Sequence, residues 1–188
     1  MKRIAIFASG NGTNAENIIR YFKQNADITV DLVLSNHVNA KVLERSKKLN
    51  TPSTSFTRDE FYKSSKVADL LKAKSIDLVV LAGFMWLVPE HMITAFPNRI
   101  INIHPALLPK YGGKGMYGAH VHKAVSQAQE TSTGITIHYV NNKYDDGDII
   151  FQETVNIMAG ENPDSIAEKI HILEHQNFPK VIEDILSQ

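Results

Sequence analysis

Ile4-Ala5-Ile6-Phe7-Ala8-Ser9-Gly10-Asn11-Gly12-Thr13-Asn14-Ala15 begins as an uninterrupted apolar run, breaks at a glycine turn and enters a segment of helical character. Residues 4–8 are apolar at successive positions, which suits a strand covered on both faces, as in a parallel sheet with helices on either side. The same alternation extends outward. Residues 28–34, 78–82, 99–103, 135–140 and 149–155 are short, β-branched and bounded by turn residues, and read as strands. Residues 14–22, 40–49, 59–74 and 89–96 have helical character between the first four. The expected fold is α/β, a Rossmann-like, mostly parallel open sheet flanked by helices. The turn-rich residues 141–148 would join the last two strands as an antiparallel hairpin.

A closing helix begins at Asn162-Pro163-Asp164-Ser165 and carries Ile166, Ile170, Leu173, Val181 and Ile185. Pro179 removes the hydrogen bond to the His175 carbonyl, which predicts a kink there. The one long irregular stretch is 105–119, with four glycines inside 109–118. Loops of this length usually carry function or move.

The 188 residues suit a single domain spanning 1–188, and 20 Lys+Arg balance 20 Asp+Glu. Neutrality argues against a partner held through nucleic-acid phosphates, which needs a basic excess. With no cysteine, disulfides, thiolate metal sites and a Cys nucleophile are excluded. The longest apolar run, residues 78–88, has eleven residues, against the roughly 20 that span a bilayer. No secretory leader is expected, and the setting is cytoplasmic, with no membrane partner.

Gly10, Gly12 and Ala15 satisfy G-x-G-x-x-A, a turn whose free N–H groups at a helix start attract phosphate. Dinucleotide binding would also want an acidic residue after the second strand, where Val33-Leu34-Ser35-Asn36 has none. Phosphate binding, a dinucleotide site and a structural turn all remain readings of this loop. In Arg99-Ile100-Ile101-Asn102-Ile103-His104-Pro105, Asn102 and His104 fall on one face, about 7 Å apart. Pro105 ends the pairing, so both lie at the carboxyl end of a strand, where open α/β sheets bind ligands. An amide and an imidazolium side by side suit an oxyanion on an attacked carbonyl. An isolated imidazole is mostly neutral at pH 7, so a carboxylate partner is needed. Asp145, in Tyr144-Asp145-Asp146-Gly147-Asp148, is the strongest candidate. Satisfying loop backbone is the alternative role for Asn102 and His104.

That acidic run lacks the glutamate a calcium loop requires. His120 and His122 find no third ligand by spacing and are expected to be exposed, in a loop or at a helix start. His138 shares a strand face with Thr136 and Val140, and either lines a cleft or sits half-buried. Glu174, beside the expected kink, reads by itself as a solvated helix residue.

Taken together, the motifs resemble the folate-dependent formyltransferases over essentially the whole chain. The resemblance rests on the 9–14 loop, Leu81-Ala82-Gly83-Phe84-Met85, and Ile101-Asn102-Ile103-His104-Pro105-Ala106-Leu107-Leu108-Pro109-Lys110-Tyr111. It continues through Thr133-Gly134, His138, Tyr144-Asp145-Asp146-Gly147-Asp148-Ile149-Ile150, and Glu174-His175 before Pro179. It implies transfer of the formyl group of 10-formyltetrahydrofolate to the amine of glycinamide ribonucleotide in purine biosynthesis. The catalytic trio then falls on Asn102, His104 and Asp145, and the substrate phosphate on Gly12, Thr13 and Asn14. Glu174 takes the substrate amine, which reverses its reading as a solvated residue. The folate falls along Met85, Trp86, Leu87 and Val88, with Asn102 and Asn142, and Arg58 faces its acidic tail.

No metal is implied, and the partners are the two small molecules, bound to a monomer or weak homodimer. Ala106 stands where the family usually has Ser, Asp146 where Gly is frequent, and the glycine-rich segment 112–118 is longer than in common members. Length favours a core without the added tRNA-binding or regulatory domains of some relatives. A dinucleotide-dependent oxidoreductase and a non-catalytic phosphate-binding module are the rival readings.

Overall fold

Side chains alternate across a strand, and β1 (Lys2–Phe7) places Ile4 and Ile6 in one core, Ala5 and Phe7 in another. In the computed structural model, which describes residues 1–187, the chain continues through α1 (Thr13–Phe22), β2 (Ile28–Ser35), α2 (Lys41–Lys48), β3 (Ser53–Ser55), α3 (Arg58–Tyr62) and α4 (Lys66–Ala73). It then forms β4 (Leu78–Leu81), α5 (Glu90–Ala95), β5 (Ile100–His104), α6 (Ala119–Gln127), β6 (Ser132–Tyr139), β7 (Ile149–Asn156) and α7 (Pro163–Leu186). Seven strands make one sheet in the order β3-β2-β1-β4-β5-β6-β7. Pairing is parallel from β3 to β5 and antiparallel through β5-β6-β7. The expected α/β architecture and its hairpin are both present.

One face of the sheet packs against α1, α2, α6 and α7 through Ile18, Val42, Val125 and Phe178. The other packs against α3, α4 and α5 through Phe61, Leu71 and Met92, joined by Phe7 and Phe56. Phe7, Phe61 and Phe178 are almost wholly buried, and burial of each stabilises the fold by about 2–3 kcal/mol.

Four local features differ from the sequence reading. Residues 59–74 form two helices rather than one. Ser64 Oγ donates to the Glu60 carbonyl at 3.0 Å and Ser65 Oγ to Asp69 at 2.6 Å, so these hydroxyls compete with helix continuation. Helix α6 starts inside what reads as irregular chain, and the three-residue polar edge strand β3 has no apolar pattern to announce it. Helix α7 runs through Pro179 without a break. Pro179 has no N–H for the His175 carbonyl, and Asn17 Nδ2 on α1 donates to that oxygen at 2.8 Å. The partner comes from another helix, and the long helix persists.

From β1 the chain runs outward to β2 and β3 on one side, and to β4 and β5 on the other. This reversal opens a crevice at the carboxyl ends of β1 and β4. The loops there are tied together: Ser9 N–H donates to the Gly83 carbonyl at 2.9 Å, and Met85 N–H to Ser9 Oγ at 2.9 Å. Among the described residues, no helix is long and apolar enough to cross a membrane.

Candidate active site

Asn102 and His104 leave β5 on one face, and antiparallel pairing sets His138 and Thr136 of β6 directly opposite them. Asp145 comes from the loop between β6 and β7 and holds a left-handed φ of 53°, a conformation aspartate tolerates better than most residues. Its Oδ1 lies 3.4 Å from His104 Nδ1, 3.5 Å from Asn102 Nδ2 and 3.8 Å from His138 Nε2. Its Oδ2 accepts the Gly113 N–H at 2.9 Å. Spacing thus predicted the Asn102–His104 pairing, and the fold brings Asp145 to both.

Burial works against the Asp145 charge, but the hydrogen bond and charge of His104 and the Gly113 N–H outweigh it. They hold the carboxyl well below the ordinary carboxylate range. His104 Nε2 lies 2.7 Å from the Tyr111 carbonyl, which can only accept. With Asp145 at Nδ1, a doubly protonated ring satisfies both neighbours. His138 Nδ1 faces its neighbouring carbonyl at 2.8 Å, which leaves Nε2 to accept from Asn102 Nδ2 at 3.1 Å.

Across the cleft, the glycine turn runs into α1. Gly12 has φ 75°, and a Cβ there would overlap the Val42 side chain, so the turn needs glycine on both counts. Arg45 fixes the turn from outside: its Nε donates to the Asn11 carbonyl at 2.8 Å and Nη2 to Asn11 Oδ1 at 3.0 Å, while Nη1 pairs with Glu16. The first N–H groups of α1, from Thr13 onward, have no partner within the helix and face the cleft. Asn14 Nδ2 donates to Glu174 Oε2 at 2.8 Å. Glu174 is 6% exposed, and burial pushes its pKa up despite the Asn14 hydrogen bond, so it is no solvated helix residue.

His120 and His122 both lie in the first turn of α6. His120 is exposed as expected. His122 is not: it is 4% exposed, and burial lowers its pKa to about 4. Of α6, His122 is the residue that lines the cleft, which an exposure argument from composition misses.

These groups line one cavity of about 560 Å³, with Gly10, Gly12, Thr13, Asn14, Asn102, His104, Asp145 and Glu174 on its walls. A narrower recess of about 50 Å³ shares Phe84, Asn102, Tyr144 and Asp145 with it and is walled by Trp86, Leu87, Val88 and Val140. Met85 lines the larger cavity, and Val88 reaches the recess although it is 3% exposed. The Arg58 guanidinium stacks over Tyr62 at 4.8 Å and Trp86 at 5.4 Å, just behind that wall. Asn142 is exposed on the 141–148 loop and lines neither space.

Three members of the site were not assigned to it from sequence: His138 as the partner of Asn102, His122, and the Tyr111 carbonyl on His104. Strand alternation from Thr136 was the one signal available for His138. Among the described residues, no group of three or more His, Asp or Glu is placed to hold a metal ion. The end of β2, Ser35 and Asn36, presents no carboxylate for a ribose. Chemically, the cavity offers an amide donor and a carboxylate-paired imidazole on one side, and a buried carboxyl and free helix N–H groups on the other.

A model of the formyl transferase family matches residues 2–182. The chain is 35% identical over 191 residues to phosphoribosylglycinamide formyltransferase of Bacillus subtilis, covering 99% of this chain and 95% of that protein. The chloroplastic phosphoribosylglycinamide formyltransferase of Arabidopsis thaliana is also 35% identical, over 195 residues, and the chain spans 66% of its length while being covered completely. Among solved structures, glycinamide ribonucleotide transformylase 1 from Symbiobacterium toebii has a TM-score of 0.90 at 32% identity, over 100% of this chain and 88% of that one.

Proposed function

The chain belongs to the formyl transferase family, and on that premise we propose that it transfers the formyl group of 10-formyltetrahydrofolate to the amino group of glycinamide ribonucleotide in purine biosynthesis. The observation that carries this reading is the convergence of His104 Nδ1 and Asn102 Nδ2 within 3.5 Å of one Asp145 oxygen, at the junction of cavity and recess. Formyl transfer to an amine needs two ligands aligned and an oxyanion stabilised, with no covalent protein intermediate.

The nucleophile is the substrate amine. Glu174 accepts its hydrogen bonds from the buried side of the cavity, held by Asn14, while the N–H groups of Gly12, Thr13 and Asn14 receive the phosphate. Asn102 donates its amide to the formyl oxygen as negative charge develops there. His104 stabilises the same charge and hands a proton to the departing folate nitrogen. To do so its Nε2–H exchanges the Tyr111 carbonyl for substrate. Asp145 orients the imidazole through Nδ1 and relays protons through water.

In this reading the flat ring of the folate lies at the recess, whose walls are Trp86, Leu87, Val88 and Val140 and whose lining includes Asn102 and Asp145. The donor supplies an electrophilic carbonyl carbon. Met85 lies on the path outward, Asn142 borders the loop above it, and Arg58 faces the acidic tail. In this reading the partners are these two small molecules. The chain works in the cytoplasm as a monomer or weak homodimer, since one chain supplies every group named.

The test supplies both compounds and follows release of deformylated folate by absorbance. Turnover that depends on both supports the reading. Binding of either without transfer would sink it in favour of a non-catalytic phosphate-binding module.

A further inference from the structure

The glycine turn and the N-terminus of α1 offer a phosphate only neutral backbone donors. Arg45, which fixes that turn, is fully engaged with Asn11 and Glu16 on its outer side and lines no part of the cavity. A phosphomonoester carries up to two negative charges at neutral pH, and the chain as a whole, with a net charge of zero, provides no general attraction. Compensation has to be local.

Among the residues lining the cavity, Lys114 is the sole Lys or Arg. It sits in the glycine-rich segment 112–118, between Gly113 and Gly115, whose φ angles are 96° and 90°. The segment is anchored at the catalytic pair. Tyr111 meets His104 through its carbonyl, Gly113 N–H holds Asp145 Oδ2 at 2.9 Å, and Met116 N–H closes a turn on the Gly113 carbonyl at 3.0 Å. Lys114 itself has no hydrogen bond or ion pair among the described residues, although ten ion pairs form elsewhere. The two carboxyls in the cavity do not claim it: Asp145 is engaged by His104 and Gly113, and Glu174 by Asn14.

We propose that Lys114 is the counter-charge for the substrate's phosphate, brought to it from across the cavity by the 112–118 segment. This rests on the formyl-transfer reading above and adds a residue to it. Backbone N–H groups of α1 fix the phosphate's position, and the Lys114 ammonium selects for its charge. Because the same segment holds Asp145 through Gly113 and follows directly on Tyr111, whose carbonyl caps His104, engagement of Lys114 is mechanically tied to the groups that carry out the transfer.

The experiment compares wild type, Lys114→Ala, Lys114→Met and Lys114→Arg with glycinamide ribonucleotide and with its unphosphorylated riboside, and measures inhibition by inorganic phosphate. The expected result for Lys114→Ala and Lys114→Met is a rise of about 10- to 100-fold in KM for the ribonucleotide, the scale of one lost charge-assisted contact. The riboside and the folate donor should show no matching rise, phosphate inhibition should weaken in parallel, and Lys114→Arg should restore most of the loss. An unchanged KM for the ribonucleotide would overturn the proposal, and so would an equal loss on the riboside, which would make Lys114 a structural loop residue. If the wild-type protein transfers no formyl group, the functional reading fails by itself. Weaker binding of inorganic phosphate to Lys114→Ala than to wild type, measured directly by calorimetry, would then still support an anion site at Lys114.

Discussion

Asn102 and Glu174 are the two residues whose chemistry is most exposed to test. Asn102 offers the amide donor beside Asp145, and His104, two residues on along the same strand face, is the second donor. Asn102→Ala should lower turnover by about 10²–10³, as for other oxyanion donors, with little change in substrate affinity. Near-normal turnover would remove it from the mechanism. Glu174 is a different case, because burial raises its pKa. The folded chain retains a proton that the unfolded chain has released, so this group costs stability as pH rises above about 4.5. Glu174→Gln cannot ionise and keeps an acceptor for Asn14. Its ligand-free Tm should match or exceed that of wild type at pH 7, with the advantage shrinking by pH 4, while affinity for the substrate amine falls. A variant less stable at pH 7, with the same gap at pH 4, would contradict the burial argument. Of these residues, Asn102 was legible as chemistry from strand alternation and Pro105. Glu174 was not, because its burial depends on Asn14, 160 positions away.

At the scale of elements, α7 shows how one helix depends on another. Its Pro179 leaves the His175 carbonyl without a helical donor, and Asn17 of α1 fills the vacancy. The same stretch of α7 carries Glu174 into the cavity, so this contact positions a cavity-lining carboxyl as well as closing a hydrogen bond. Asn17→Ala should cost about 1–3 kcal/mol, the penalty for a polar group left unpaired. Denaturant unfolding would measure it, with substitution of an exposed asparagine such as Asn142 as the control. Equal midpoints for the two variants would show that water satisfies the carbonyl instead. Pro179 announced the missing bond in the sequence, and a kink was the natural expectation. The rescue could not be read, because the donor lies on a helix that becomes a neighbour only once the sheet has formed. The split between α3 and α4 is the converse: Ser64 and Ser65 act locally, and the break was available to a closer reading of their hydroxyls.

For the molecule as a whole, the balance of 20 acidic and 20 basic side chains conceals an uneven acid response. Several carboxyls are held below their ordinary values: Glu16 by hydrogen bonds from Arg20 and Arg45, and Asp145 by His104 and the Gly113 N–H against its burial. Glu161 joins them, lowered from 4.5 to about 2 by Ser165, Lys169 and the Met158 N–H. In the unfolded chain these groups take up protons first as pH falls. The stability they contribute is therefore complete above about pH 4.5 and is lost as pH falls toward 2. Glu174 acts in the opposite sense and is outnumbered. Unfolding free energy should fall between pH 6 and pH 3, and Glu161→Gln should show a shallower fall. A flat profile for wild type would refute the assignment. The sequence by itself determined the layer order, the run of parallel strands and final hairpin, the single face shared by Asn102 and His104, and the glycine turn at Gly12, because each follows from periodicity or backbone restriction within a few residues. Only the tertiary structure decided that Asp145 reaches both members of that pair, that His122 and Glu174 are buried, and that Lys114 is the sole Lys or Arg lining the cavity. Burial and proximity between distant segments are properties of the packed sheet and its helices, and no local pattern encodes them.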